Sequence, residues 1–363
     1  MTTHRAATAI AALAVATGCA YKSGHYGDAN FGDTIDGAPP PPCTLAALSL
    51  HAATLSGCSD AGTADGPRGS ARFANPVNVA LAPSGLAYVA DFDSGLIRKV
   101  DQAGAVSTLL ARSDFAHPFG MQYGVDGYLY VETDDDDRGA HSLLTGTLWK
   151  INPASGDATV LGRDIGRPRG LAILADGRFA LADHQHHVVE LFDPNTAAVT
   201  VLAGVLDSPG YQNGTGAGAR FAQPYDLVVV SGDLVVSEFD NNRLRRVTLA
   251  GVVSNFAGTG APGHDDGALL AATFDQPKGL AIDATGAIYV TEAGNHDIRK
   301  ITGGNVAVFA GSTIGGYADD DVPTNAQFYG VEGLDVSADG SRVVIADGNV
   351  GDGMPFNHVR EVH

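Results

Sequence analysis

Basic residues are scarce in this sequence: 22 Lys and Arg stand against 41 Asp and Glu, a formal net charge of −19. Nucleic-acid phosphates and anionic membrane surfaces would repel such a chain, so neither is expected as a direct partner. Long apolar runs are also lacking, because nothing after the N-terminal segment is apolar enough to span a bilayer. The 44% hydrophobic content and 47 glycines are typical of a compact, turn-rich domain.

The N-terminus is predicted to be an export signal. Residues 1–19 combine one early Arg with an Ala-rich apolar run that is too short to cross a bilayer. They end on Ala16-Thr17-Gly18-Cys19, which resembles a bacterial lipobox, although that motif usually has Leu where Ala16 stands. We expect an exported protein held by lipid on Cys19 to a bacterial outer membrane or cell surface. A plain secretory signal is the alternative. Residues 20–44 are predicted to form a disordered Gly/Asp/Pro tether.

Cysteine is rare, and its count of three is odd for an exported chain. If Cys19 carries lipid, Cys43 and Cys58 are left as one pair in a compartment where disulfides persist. Fifteen extended residues would hold them too far apart, so a disulfide requires the chain to double back before Ala52. Two free thiols are the alternative.

Repetition organises the rest of the chain. Residues 274–311 are predicted to form four short strands separated by turns, with β-branched and aromatic residues in the strands. Related segments begin near Phe73, Phe115, Arg167, Phe221 and Phe328, roughly 50 residues apart, which is the period of four-stranded propeller blades.

The last repeat lacks a fourth strand, and the N-terminal part of the domain supplies a match. The chain ends shortly after Val359–Val362, which corresponds to a third strand, whereas residues 52–57 resemble the fourth strand of the fifth repeat. The sequence therefore predicts an all-β, six-bladed β-propeller over residues 45–363, closed by an N-terminal strand.

The repeated motifs are similar to those of one known family. In the fifth repeat they are Pro277–Ala281, Ile288–Val290, Asn295-His296 with Ile298–Ile301, and Phe309–Gly311. They resemble the NHL repeat, which implies a propeller fold. This and neighbouring propeller families include RNA binders, protein-binding sensors, amidating lyases and calcium-dependent lactonases, and the fold does not decide among them.

Six repeats allow scaffold to be distinguished from function, since a residue present in every blade is expected to be structural. Each second strand ends on an acid, which we interpret as a cap for backbone amides. These acids are Asp91, Glu132, Asp183, Glu238, Glu292 and Asp347. His186 and His187 align with turn residues of the fifth repeat, so a zinc site at His184–His187 is not favoured. For Asp134–Asp137, a solvated acidic loop is favoured over a calcium site.

Positions predicted to face the central axis are mostly Gly and Ala, and four polar residues break this pattern. They are Asn78, Gln122, Asp226 and Asp335. Their side-chain oxygens are candidate metal ligands, with calcium as the one candidate cofactor. The alternative is a water-filled channel whose polar groups bond one another.

The residue after each blade's first proline position is predicted to lie at the channel mouth. Five of these residues form a candidate site for a small polar ligand or a peptide side chain: Phe119, Arg169, Tyr225, Lys278 and Glu332. Long loops share this face, which we interpret as the functional side. Short inter-blade loops leave a notch beside blades two and three. His117 is expected to stand alone near the mouth, which disfavours an amidating lyase.

These patterns predict a monomeric, non-catalytic, extracytoplasmic binding propeller whose partner is a protein, a peptide or a small polar ligand. The alternative function is a calcium-dependent hydrolase or lyase, similar to lactonases, acting in the channel.

Overall fold

The computed structural model describes residues 43–348, 354 and 356–363. The predicted signal peptide, the lipidation site Cys19 and nearly all of the tether lie outside the described residues. Within them, the helices are two three-residue 3₁₀ turns, Gly216–Gly218 and Pro323–Asn325. No helix in this part of the chain has the length and apolarity needed to cross a membrane.

The described residues form six antiparallel blades, as predicted. Strand β1 (Ala52–Gly57) belongs to the last blade. The first blade contains β2 (Pro76–Leu81), β3 (Ala87–Asp91), β4 (Leu96–Val100) and β5 (Val106–Ala111). The second contains β6 (Pro118–Tyr123), β7 (Leu129–Thr133), β8 (Thr147–Ile151) and β9 (Ala158–Gly162). The third contains β10 (Pro168–Ile173), β11 (Phe179–Asp183), β12 (Val188–Asp193) and β13 (Ala198–Gly204).

The fourth and fifth blades each carry a short additional strand at the outer edge. The fourth contains β14 (Gly214–Thr215), β15 (Pro224–Val230), β16 (Asp233–Glu238), β17 (Arg243–Val247) and β18 (Val252–Ala257). The fifth contains β19 (Gly267–Ala268), β20 (Pro277–Ile282), β21 (Ile288–Glu292), β22 (Asp297–Thr302) and β23 (Asn305–Ala310). The sixth contains β24 (Gly330–Val336), β25 (Val343–Gly348) and β26 (His358–Val362).

Closure of the ring by the N-terminal strand is confirmed. β1 pairs antiparallel with β26, from Ala52 opposite Val362 to Gly57 opposite His358. Leu55 of β1 is fully buried, so this strand also contributes to the core. The closing strand is thereby tied to the end of the chain by hydrogen bonds and by apolar packing.

A disulfide joins the two ends of the segment that contains β1. Cys43 and Cys58 are bonded, with their Cα atoms 6.1 Å apart. The chain doubles back before Ala52, as this pairing requires, and the backbone amide of Cys43 donates to the carbonyl of Gly69 at 2.7 Å.

A buried arginine on the third strand anchors blades one, four, five and six. In blade five, Arg299 donates to Glu292 at 2.9 Å and to Asp266, in the preceding inter-blade loop, at 2.5 Å. Phe274 lies 5.6 Å from the same guanidinium. The equivalent arginines are Arg98, Arg245 and Arg360, each fully buried and paired in the same way.

The long inter-blade loops of these four blades therefore have a structural role. Each loop lays a residue or a short strand along the outer edge of the blade that it precedes. The bridging residues are Gly66, Gly214–Thr215, Gly267–Ala268 and Asp320. Covering an edge strand removes unpaired backbone groups from solvent. The loops thus have this structural role, and their functional role stays a prediction.

Blades two and three depart from the arrangement. Trp149 and Glu190 occupy the register position that Arg299 has in blade five. Their inter-blade loops are short, and no described residue pairs with the outer edge of β9 or β13. The departure from the repeat is thus confined to one side of the ring.

Candidate functional site

The first strand of each blade lines the axis, where glycine is required by close backbone approach. A Cβ atom on Gly279 would lie 2.5 Å from the carbonyl oxygen of Glu332 in the next blade. Such a contact is not tolerated, so any side chain here would push neighbouring blades apart. The polar residues that interrupt this lining therefore stand out structurally as well as in the sequence.

Three of the four polar channel residues connect neighbouring blades. The side-chain oxygen of Gln122 accepts a hydrogen bond from the backbone amide of Ile173 at 2.8 Å. Asp226 accepts one from Leu280 at 2.8 Å, and Asp335 accepts one from Leu81 at 2.7 Å. These bonds join blade two to three, four to five and six to one. Their pattern gives these side chains a structural task, and their binding of a metal or ligand stays a prediction.

The carboxyl groups of Asp226 and Asp335 have unusual acidities. Burial raises the pKa of Asp226 to about 7, against the lowering effect of two backbone amides, and the charge of Asp335 adds to the increase. Burial raises the pKa of Asp335 to about 6. Near neutral pH, these groups can therefore either accept or donate a hydrogen bond inside the channel.

Asn78, Gln122, Asp226 and Asp335 all line one cavity of about 910 Å³. Its remaining wall combines aliphatic residues with polar and charged residues, among them Asp283, Asp339 and Arg342. The apolar residues include Leu81, Met121, Leu171, Leu227, Leu280 and Leu334. Turns between first and second strands, such as Pro83–Gly85 and Asp283-Ala284, also line it, so the cavity opens on the face with tight turns.

The five predicted mouth residues lie together at the other end of the channel. The Tyr225 hydroxyl donates to Glu332, whose other oxygen accepts from Lys278 Nζ at 2.5 Å. The rings of Phe119 and Tyr225 are 6.0 Å apart, and the Arg169 guanidinium lies 4.0 Å from the Phe119 ring.

Two of these contacts connect blades that are not neighbours, two with four and four with six, so they cross the axis. All five side chains are buried, with 5–9% of each residue exposed. None of them lines the cavity described above. The five residues therefore form a plug, and their binding of a ligand remains a prediction.

Beside the plug lies a buried acid that does not belong to the repeated series, so the prediction for Glu132 was wrong. Thr133, opposite Pro118, occupies the register position that Glu292 has opposite Pro277, and its hydroxyl accepts a hydrogen bond from Nε1 of Trp149 at 3.0 Å. Glu132 lies one residue earlier and is fully buried. Burial, together with the charge of Asp134, raises the pKa of Glu132 well above its usual value. The repeated acids of blades one, four, five and six bond amides before the first strand and buried arginines, as Glu292 bonds Asp275 and Arg299, whereas Asp183 of blade three bonds amides of the following turn.

Asp134 was not identified from the sequence, and the expectation of a solvated loop over Asp134–Asp137 was wrong. Asp134 is fully buried, and its carboxylate accepts hydrogen bonds from Arg169 at 2.9 Å and from Arg167. Burial alone would raise its pKa, but the two arginines outweigh this effect and hold the pKa of Asp134 at about 2. The absent arginine in strand β8 and the insertion after β7 were the signals that could have located this cluster.

The histidines of residues 184–187 have structural contacts, whereas His117 lies beside a second histidine. His186 bonds Asp183 at 2.7 Å, and His187 accepts from the Gln223 amide at 3.1 Å, as expected for turn residues. Burial and the nearby Arg169 charge lower the pKa of His184 to about 3. His117, however, is not alone: its ring lies 5.5 Å from that of His141.

Comparison with known proteins begins with the repeat itself: residues 274–301 match the NHL repeat. The chain is 29% identical over 179 residues to the SUPPRESSOR OF QUENCHING 1 protein of Arabidopsis thaliana, covering 49% of this chain and 14% of that protein. It is 24% identical over 286 residues to Teneurin-m of Drosophila melanogaster, covering 68% and 10%. The chain thus spans one-seventh or less of these relatives.

Solved structures with the same fold include both binding proteins and enzymes. A protein of unknown function from Bacteroides thetaiotaomicron superposes with a TM-score of 0.68 at 20% identity, covering 86% of this chain and 75% of that one. An auxiliary nutrient binding protein from the same species gives 0.66 at 16% identity, covering 86% and 76%. A streptogramin B lyase gives 0.50 at 14%, covering 80% and 94%. The chain is a six-bladed β-propeller that carries an NHL repeat in its fifth blade.

Proposed function

We propose that this chain is a non-catalytic, extracytoplasmic binding protein that holds a small ligand in its axial cavity. The observation that carries the proposal is a cavity of about 910 Å³ that opens at one face and ends at a plug of bonded side chains. This volume lies within the roughly 300–1,000 Å³ of small-molecule sites. The structural similarity to a nutrient binding protein is in keeping with this role.

The lining defines the chemistry of the ligand. Aliphatic side chains such as Leu171 and Leu280 form part of the wall, and they would contact an apolar body. Asp226 and Asp335 lie in the same wall, with carboxyl groups that favour hydrogen-bond donors and positive charge. The ligand class that fits is a small amine or hydroxyl compound with an apolar portion.

A thermal-shift screen with a panel of primary amines, amino-acid amides and polyols tests this proposal. Val228→Trp fills the cavity, whereas Val201→Trp places the same ring on an outer strand at a residue that is 42% exposed. A compound that stabilises the parent and V201W, but not V228W, is the expected result. Equal stabilisation of all three proteins, or no stabilisation by any compound of the panel, would contradict a cavity site of this chemistry.

The loop-rich face is the proposed contact surface for a protein or peptide partner. Large apolar residues are exposed in its inter-blade loops, including Leu270, Ile314 and Tyr317. Apolar groups of this kind are typical of interaction surfaces when they cluster. The plug side chains Arg169 and Lys278 lie on this side of the cavity.

A second candidate function is the calcium-dependent hydrolase or lyase. The observation that favours it is that Asp226 and Asp335 interact electrostatically and share one cavity with Asn78 and Gln122. These four oxygen donors suit calcium. Millimolar calcium should then stabilise the parent by a few kcal/mol, given micromolar affinity, and should not stabilise Asp226→Asn. If calcium leaves the unfolding midpoint of the parent unchanged, the hypothesis of a calcium site at these residues is contradicted.

Export and membrane anchoring complete the proposal. We infer that lipid on Cys19 holds a monomer at a bacterial outer membrane or cell surface, with residues 20–44 as the tether. The lipobox-like sequence before Cys19 supports the anchor. The Cys43–Cys58 disulfide is compatible with an oxidising compartment.

A further inference from the structure

Three potential metal ligands meet on the loop-rich face of blade two. Nδ1 of His117 lies 3.1 Å from Oδ1 of Asp135, and Nδ1 of His141 contacts the same oxygen. Among the described residues, no other group of three His, Cys, Asp or Glu side chains brings its ligand atoms within 4.8 Å of one another.

Local structure holds the three side chains in place. Asp135 and His141 face each other across a hairpin, and Asp136 closes that hairpin by accepting from the amides of Arg138 and Ala140. His117 comes from the loop before β6, where its φ of 51° is left-handed. Phe92 packs on its ring at 4.9 Å. Two separate segments are thus fixed so that their donors converge.

The repeat offers a control for the structural explanation. The position of His117 is occupied by Asn75, Gln223 and Gln276 in blades one, four and five, and all of these share its left-handed backbone. The conformation therefore does not require histidine. Asp135 and His141 lie in an insertion between β7 and β8 that the corresponding connections of blades one, three, four and five lack. All three residues are found only where blade two departs from the scaffold.

We propose that His117, Asp135 and His141 bind one Zn²⁺ ion. Two imidazole nitrogens and one carboxylate oxygen are a common ligand set for zinc sites that keep an open position. Tetrahedral zinc bonds of about 2.0–2.1 Å place ligand atoms about 3.3 Å apart, close to the 3.1 Å between His117 and Asp135.

The fourth coordination position would face solvent. The side chain of His141 is 47% exposed and that of His117 is 33% exposed, so the site is accessible from the surface. The open position suits a water molecule or a carboxylate of a bound partner. This site is separate from the axial cavity, whose lining contains none of the three residues.

Zinc titration of the full chain, with a chromophoric chelator as competitor, tests the proposal. The parent should bind one zinc per chain. His141→Ala, at an exposed position, and the near-isosteric Asp135→Asn should each weaken binding by roughly 100-fold or more, beyond the 10–100-fold effect of outer-shell changes. His264→Ala is the matched control, because His264 pairs with Asp297 at 2.6 Å as a single His–carboxylate pair.

Cobalt substitution gives a second readout that does not depend on affinity. Co²⁺ in the parent and in H264A should show the visible absorption of a four-coordinate site, and this signal should be lost in H141A. Circular dichroism establishes that the variants are folded. Zinc affinity in H141A and D135N equal to that of the parent, or no stoichiometric zinc binding by the folded parent, would overturn the assignment.

Discussion

Glu132 and Glu238 are buried acids near the ends of the second strands of blades two and four, and replacing each by glutamine should have different consequences. Glu238 retains the repeated arrangement: it accepts from Arg245 at 2.8 Å, and neither side chain is exposed. Glu132 has no arginine on the strands of its own blade. Glutamine has nearly the shape of each residue, so the comparison isolates the charge.

The structure sets the expected magnitudes. Removing one partner of a buried ion pair costs about 3–5 kcal/mol of unfolding free energy. Arg245 would keep its bonds to Gln212 and Asn213 in Glu238→Gln, which places the loss near the lower limit, about 3 kcal/mol. Burial and the charge of Asp134 raise the pKa of Glu132 well above its usual value, which favours the neutral acid, and glutamine resembles that neutral acid. Glu132→Gln should therefore change stability by less than about 1 kcal/mol at pH 7.

The sign of the pH dependence provides a further check. Because the folded-state pKa of Glu132 is raised, its favourable contribution is complete below the unfolded pKa and is lost as the pH rises towards the folded value. E132Q should therefore gain stability relative to the parent as the pH increases above 4.5, the usual pKa of glutamate.

Urea unfolding followed by tryptophan fluorescence and circular dichroism measures these differences. The chain has one tryptophan, Trp149, which is buried in blade two. A loss in E132Q as large as that in E238Q would refute the argument, since it would mean that Glu132 is charged in the folded protein.

Deleting residues 43–57 removes β1 from the edge of β26, so size-exclusion chromatography should show aggregation or loss of folding. A monomer with the parent's melting temperature would show that β1 is dispensable. Burial raises the pKa of Asp226 to about 7 and that of Asp335 to about 6, so both groups favour the folded state most below pH about 4 and lose this contribution as the pH rises to about 7. Urea midpoints should fall more steeply between pH 5 and 7 in the parent than in Asp335→Asn, and parallel profiles would count against buried, protonatable carboxyls. Cys19→Ser should move the protein from the membrane fraction to the soluble fraction, whereas unchanged partitioning would argue against a lipid anchor.

The fold could be predicted from the sequence because each blade repeats the same local pattern. Strand residues such as Ile288–Val290 recur at a fixed period, and an unmatched strand at one end corresponds to a missing strand at the other. These features depend on local sequence patterns and on the number of strands in each repeat. Tertiary contacts are not needed to recognise them.

The axial positions could also be predicted, because strand alternation assigns alternate residues of the first strand to the channel. Asn78, Gln122, Asp226 and Asp335 do line one cavity. Their bonds to amides of neighbouring blades could not be predicted, since these depend on how closely the inner strands approach. The contacts that Phe119, Tyr225 and Glu332 make across the axis could not be predicted either, because they depend on the length and direction of the side chains.

The cluster around Asp134 was missed for a different reason. A run of four aspartates suggests a solvated loop when it is considered alone. Burial of Asp134 depends on Arg167 and Arg169, which follow more than thirty residues later in blade three. The same holds for His117, whose partners lie in the insertion between β7 and β8.

A crystal structure with a bound amine tests the account most directly. The compound that gives the largest thermal shift in the parent, and none in V228W, would be soaked into crystals of the parent. We predict electron density in the axial cavity, with a donor atom within hydrogen-bond distance of Asp226 or Asp335 and an apolar portion against Leu171 or Leu280. Density for the compound on the loop-rich face, with the axial cavity holding only water, would contradict the account.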